Sequence, residues 1–223
     1  AAPLGQAART LLSDSNVAFE LAKRDSGEQR LALVSPDGKR THTIAWPSAE
    51  AKAGEPEWGL IQSIIASPTR DALLEKLIPA YAVILLVDGT DAAQTKRAQT
   101  AAAGAIEAIT KLMPKMPKPV EHPPVVVRLP VDRMKEETIL LWSLGMDSRP
   151  TPEPQAVVLM GRGRRVGDTM RGGLITRTAL QEALAVVGQD CECGLDRVWM
   201  QGERFPLAWG QSEKQAAFAE LGF

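Results

Sequence analysis

The chain has 223 residues, 44% of them apolar, enough to bury one large core or a core with an appended subdomain. Its 26 basic and 27 acidic residues leave a net charge of −1, so the overall balance carries no nucleic-acid footprint. The longest apolar run, Ala80–Val87, is too short to cross a bilayer and suits a buried strand instead. Only two cysteines occur, Cys191 and Cys193, and because both sit in one short motif they cannot staple distant elements.

The chain opens Ala-Ala-Pro-Leu, as a mature end left after signal-peptide removal would, although a chain trimmed in another way would look the same. The expectation is an extracytoplasmic protein. Leu4 to Leu12 reads as a short helix with Leu4, Ala8, Leu11 and Leu12 on one face. Asn16–Ala22 and Arg30–Val34 alternate as strands do. Ser35-Pro36-Asp37-Gly38 is a turn signal, since proline presets the first turn angle and glycine takes positive φ. The strand Thr41–Trp46 then completes a hairpin. Pro47 to Pro56 reads as a loop.

From Ser67 the pattern becomes α/β. Ser67-Pro68 starts a helix whose apolar face is Leu73, Leu74, Leu77 and Ile78. The buried strand Ala82–Val87 stops at Asp88-Gly89, and Asp91 caps an Ala-rich helix from Ala92 to Met113. Pro114, Pro117, Pro119, Pro123 and Pro124 then predict an exposed, extended connector. Val125–Leu129 is a second buried strand, and Asp132 is expected to cap a helix from Arg133 to Leu144. The Pro-rich run Arg149–Pro154 leads into the strand Gln155–Met160. Gly161-Arg162-Gly163-Arg164 turns the chain into Arg165–Met170, an antiparallel pair. Thr176 or Thr178 opens a helix through Val187, which Gly188 ends as a left-handed cap. The tail holds Trp199, Phe205, Trp209 and Phe218, whose area can be buried only by docking. The expected organisation is a β-rich extension over 1–56, a main domain over 57–190 and a docked tail over 191–223.

The order β-α-β-α-β-β-α over residues 82–188 resembles the thioredoxin fold. That resemblance implies a cis-proline before the third strand of the set, for which Pro154 is the best match and Pro152 the alternate. A further resemblance rests on Ala66-Ser67-Pro68-Thr69-Arg70, Gly161-Arg162-Gly163-Arg164 and Cys191-Glu192-Cys193. Together these are similar to a group of exported, thioredoxin-like bacterial proteins, which again implies an extracytoplasmic location and no established reaction.

Thioredoxins carry the nucleophilic cysteine just after the first buried strand, at a helix N-terminus that favours the thiolate. Here that segment is Val87-Asp88-Gly89-Thr90-Asp91-Ala92-Ala93-Gln94-Thr95, with no thiol and no histidine. Thr90 and Thr95 lack the adjacent base that a hydroxyl nucleophile needs, and they read as cap and helix-start residues. Cys191 and Cys193 admit three readings: a strained, easily reduced redox pair, a Cu(I) site, or a local structural disulfide. Their place after a helix C-terminus disfavours a thiolate, which argues against relocated thioredoxin chemistry.

The glycines of the 161–167 loop have the wrong final spacing for a dinucleotide fingerprint, and the loop leads into a strand rather than a helix. Its Arg162, Arg164 and Arg165, with Arg171, form a candidate patch for an anion or a protein partner. Lys111–Lys118 reads as a solubilised connector. Glu136 and Glu137 are adjacent on a helix and point apart, which reads as a solvated face rather than a catalytic pair. No cofactor and no nucleic acid is expected. The functional expectation is a non-catalytic, extracytoplasmic thioredoxin-like module for protein–protein interaction, an accessory subunit of an envelope complex. A thiol–disulfide protein acting through Cys191 and Cys193 is the alternative, and Cu(I) binding by the same pair the second.

Overall fold

The computed structural model describes residues 2–20, 31–45, 55–116, 122–187 and 202–221. The chain divides into two compact units, residues 1–67 with 206–210, and residues 68–205 with 211–223. It is an α/β protein.

The first unit contains α1 (Ala2–Leu11), the antiparallel pair β1 (Leu31–Val34) and β2 (Thr41–Ile44), and α2 (Glu55–Ile65). The expected turn closes the hairpin: Gly38 adopts φ 71°, and the Ser35 hydroxyl donates to Asp37 at 2.6 Å. Helices α1 and α2 touch, and Ala8, Leu12, Ile61 and Ile64 are buried. Among its described residues this unit holds two helices beside the hairpin, unlike the β-rich extension expected. The described part of the Asn16–Ala22 segment is not a strand; Asn16 instead donates its N–H to Leu207 O and accepts from Leu207 N on its side chain, at 3.3 and 2.9 Å.

In the second unit, α3 (Pro68–Leu77) precedes β3 (Val83–Val87), α4 (Ala92–Leu112) and β4 (Val125–Leu129). Then follow a 3-10 segment, Val131–Glu137, α5 (Thr138–Ser143), β5 (Gln155–Met160), β6 (Arg164–Arg171), α6 (Arg177–Val187) and α7 (Gln211–Leu221). The four strands form one sheet in the order β4-β3-β5-β6. β3 runs parallel to β4 and antiparallel to β5, and β6 is antiparallel to β5. A strand with neighbours on both sides and cover on both faces must be apolar throughout, and every residue of β3 is buried.

Cross-strand partners share a face, so Ile84 and Leu86 stand with Val158 and Ala156. Ala98, Ala102, Ala105 and Ile109 of α4, and Leu180 and Leu184 of α6, pack with them in one core. Alanines at that spacing give α4 a flat face that lets its backbone approach the sheet. The Tyr81 hydroxyl donates to Leu184 O at 2.8 Å, tying the start of β3 to the end of α6. Val83, Leu85, Val157 and Leu159 point to the other face, where α3 touches both β3 and β4.

The single helix expected from Arg133 to Leu144 divides instead, and Asp132 makes no capping bond. The tight 3-10 turn rotates Glu137 inward, where it is fully buried and accepts from Thr69 N at 2.9 Å. Glu137 is thus no part of a solvated face. It supplies a carboxylate to the first turn of α3 and stands by the buried Arg70, whose pKa falls to about 10 because burial outweighs the attraction of Glu137. The tail also departs from expectation: Phe205 is fully buried, but Phe218, on α7, is 64% exposed.

Candidate functional site

β3 ends at Val87, and the next residues form the rim of the sheet. Asp88 continues the ladder by donating its N–H to Leu129 O at 2.9 Å. Gly89 gives both backbone groups to Thr95: its N–H donates to Oγ1 at 3.1 Å, and that hydroxyl donates to Gly89 O at 3.2 Å. Thr90 and Asp91 donate their N–H groups to Thr151 O and Pro152 O, at 2.8 and 3.2 Å. Every backbone donor from 88 to 91 is therefore used.

The space above Gly89 is filled as well. A Cβ at that position would collide with Pro152 O and lie 2.7 Å from both Glu153 C and Pro154 N. The 151–154 segment is zipped onto the rim by the two hydrogen bonds that Thr151 and Pro152 accept, and Pro154 O accepts from Gly172 N at 2.9 Å. All peptide bonds among the described residues are trans, including those into Pro152 and Pro154, so the cis bond expected there is not found. With its carbonyls fixed on both sides, this segment sits in the lower-energy isomer without needing a reversal.

Asp91 caps α4, accepting from Ala93 N and Gln94 N at 2.9 and 3.1 Å. The Gln94 backbone and side-chain hydrogen bonds, with the Ala93 N–H, hold its carboxyl below the usual carboxylate range. The positive end of α4, which in a thiol enzyme would favour a thiolate, is here satisfied by this carboxylate. Thr95 is buried with its hydroxyl engaged in both directions, which leaves it a structural clasp rather than a nucleophile.

Beside this rim lies an open cleft of about 580 Å³, lined among others by Asp88, Thr90, Lys96, Gln99, Arg128 and Asp132. Asp88 is 6% exposed and grips the half-exposed Arg128 of β4. Arg128 Nε lies 2.8 Å from both carboxylate oxygens and Nη2 lies 2.6 Å from Oδ2. That hydrogen-bonded pairing raises the Arg128 guanidinium further above its ordinary value. With its oxygen turned to Arg128, the Gln99 amide also accepts from Nε and Nη2, at 3.2 and 3.3 Å.

The arginine patch expected from sequence divides in two. Arg165 donates to Leu144 O at 2.9 Å and Arg171 to Gly145 O at 2.8 Å, so both close the C-terminal end of α5. Arg171 also pairs with Asp147. Arg162 and Arg164 stay at the hairpin, where Arg164 stands across from Arg204 in an antiparallel bridge. Burial, then the nearby Arg164 and Arg162, lower the pKa of Arg204. Cys191 and Cys193, and with them the redox and Cu(I) readings, lie outside the described residues. Among the described residues no group of three His, Cys, Asp or Glu side chains could hold a metal.

Sequence reasoning did not single out Asp88, Lys96, Gln99 or Arg128. The available signal was a lone charge at the end or inside of an apolar strand, Asp88 after Val87 and Arg128 within Val125–Leu129. Compared with known proteins, the chain matches no family model, no curated protein and no solved structure. Among the described residues no helix is long and apolar enough to cross a membrane.

Proposed function

We propose that this chain is a thioredoxin-like module that binds a protein partner and no longer performs thiol chemistry at the rim of its sheet. The strand order β4-β3-β5-β6, with a parallel β3–β4 pair and α4 and α6 against one face, supports the fold assignment. The observation that carries the functional reading is the sealed rim: Gly89 is packed under Pro152–Pro154, and the backbone donors of 88–91 are all internally bonded. A reacting group finds neither a thiol nor a vacant backbone donor there, whereas the adjacent cleft remains open with polar groups in it. An extracytoplasmic location and a role as an accessory subunit of an envelope assembly belong to the same proposal.

The test has two arms. Purified protein is assayed for reduction of a model disulfide, with Cys193→Ser as control, and a photo-cross-linker is placed at Gln99 in the native host, with one at Phe218 as reference. No turnover, together with one discrete adduct from Gln99 and none from Phe218, is the expected result. Turnover that disappears in Cys193→Ser would overturn the reading in favour of the thiol–disulfide alternative.

A further inference from the structure

Arg128 and its neighbours bring several hydrogen-bond donors to one cleft, and among the described residues Nη1 of Arg128 and the Lys96 ammonium have no protein partner. Asp88 and the Gln99 oxygen together occupy Nε and Nη2 of Arg128, and Nη1 is left without a partner among the described residues. The same orientation of Gln99 turns its NH₂ group, a pure donor, away from the arginine. Gln99 lies three residues after Lys96 on α4, hence on the same helical face. Lys96 is exposed and lines the same cleft, and its ammonium has no ion-pair or hydrogen-bond partner among the described residues. The residues that carry this guanidinium, amide and ammonium all line one cleft.

Pairing also decides which anion fits. The charge of Arg128 is already matched by Asp88, and the charged residues that line the cleft, Asp88 and Asp132 with Lys96 and Arg128, sum to zero. A dianion such as phosphate therefore finds no net positive field to repay its desolvation. A single carboxylate needs less charge and more direction: two oxygens in one plane, each taking one or two donors. Asp88 holds the guanidinium in position beforehand, which lowers the ordering cost of binding. Resting on the binding-module reading above, we infer that the cleft recognises one carboxylate of a partner polypeptide, through Arg128, Gln99 and Lys96. The carboxylate is either an acidic side chain or a chain terminus.

The full chain, isotopically labelled, is titrated with three short glycine-rich peptides and followed by NMR at the Arg128 Nε–H and the Gln99 side-chain amide. One peptide is capped at both ends and carries a central glutamate. The second has glutamine there, and the third has that glutamine with a free C-terminal carboxylate. A saturable shift with the first or the third peptide, and none with the second, is expected, and which of them acts identifies the source of the carboxylate. Arg128→Lys should weaken binding about tenfold, because the ammonium cannot reproduce the fork. Lys96→Gln alters an exposed, unpartnered side chain, keeps the fold, and should weaken binding about threefold. The inference is overturned if the three peptides act alike, if none acts, or if the shifts fall on Arg162 and Arg204 instead. A normal titration without a Gln99 adduct in the host would count against the partner reading alone. An adduct with no carboxylate dependence would count against this inference alone.

Discussion

Gly89 is glycine for reasons of space rather than conformation: nothing about its backbone angle demands it, but the Pro152–Pro154 backbone lies where a Cβ would go. Backbone on the opposing side cannot rotate away as a flexible side chain could. Gly89→Ala is therefore expected to lose stability at the upper end of the range for overpacking, about 3 kcal/mol, and chemical denaturation would measure it. A loss under about 0.5 kcal/mol would show that the 151–154 segment yields easily, and with it the sealed-rim argument. Asp91 offers a second test. Its folded carboxyl is held below the usual carboxylate range, so its contribution is present above that range and is lost as pH falls through the lowered value. Asn is an equally good N-cap but does not titrate. Asp91→Asn should keep the helix at neutral pH and flatten this part of the acid-unfolding limb, whereas Asp91→Ala should weaken α4 at every pH.

At the scale of elements, the first turn of α3 and the end of the 3-10 segment are joined by one buried pair. Glu137 accepts from Thr69 N and faces Arg70, which is 1% exposed. Removing one charge of such a pair leaves the other buried and uncompensated. Glu137→Gln keeps an oxygen for Thr69 N but strands the guanidinium, with an expected loss of about 3–5 kcal/mol. Arg70→Met combined with Glu137→Gln removes both charges and should recover most of that loss in the same denaturation assay. A double variant no more stable than the single one would place the energy in packing around the arginine stem rather than in charge. The same logic explains the loop arginines. Arg165 and Arg171 close α5 through the carbonyls of Leu144 and Gly145, so they are positioned by the helix end they serve.

For the whole molecule, what could be read in advance follows the range of the forces involved. β3, β4 and β5 are legible within a residue or two because each is a short apolar run punctuated by aspartate, glycine or proline; β3 and β5 are buried on both faces, whereas β4, expected to be buried, lies at the sheet edge with Val126 and Arg128 exposed. α2 was missed because Pro56 and Gly59 interrupt its pattern, and α7 because its few apolar residues form no stripe. The burial of Glu137 and the pairing of Asp88 with Arg128 join residues 68 and 40 positions apart, beyond any local signal. The tail illustrates the same limit. Its aromatic residues all invite burial by composition, yet only the surroundings separate them. Phe205 is fully buried, beside Gly163, which takes φ 69° and where a Cβ would lie 2.6 Å from the ring. Nearby, Arg165 N donates to Glu203 O at 2.9 Å, so the backbone before Phe205 is fixed along β6. Phe218 is 64% exposed. Phe205→Ala should therefore cost about 3–5 kcal/mol by cavity formation, and Phe218→Ala should stay within about 0.5 kcal/mol of the parent. Equal losses at the two positions would mean that α7 buries its ring in solution, and the tail would then be docked along its whole length rather than through Phe205.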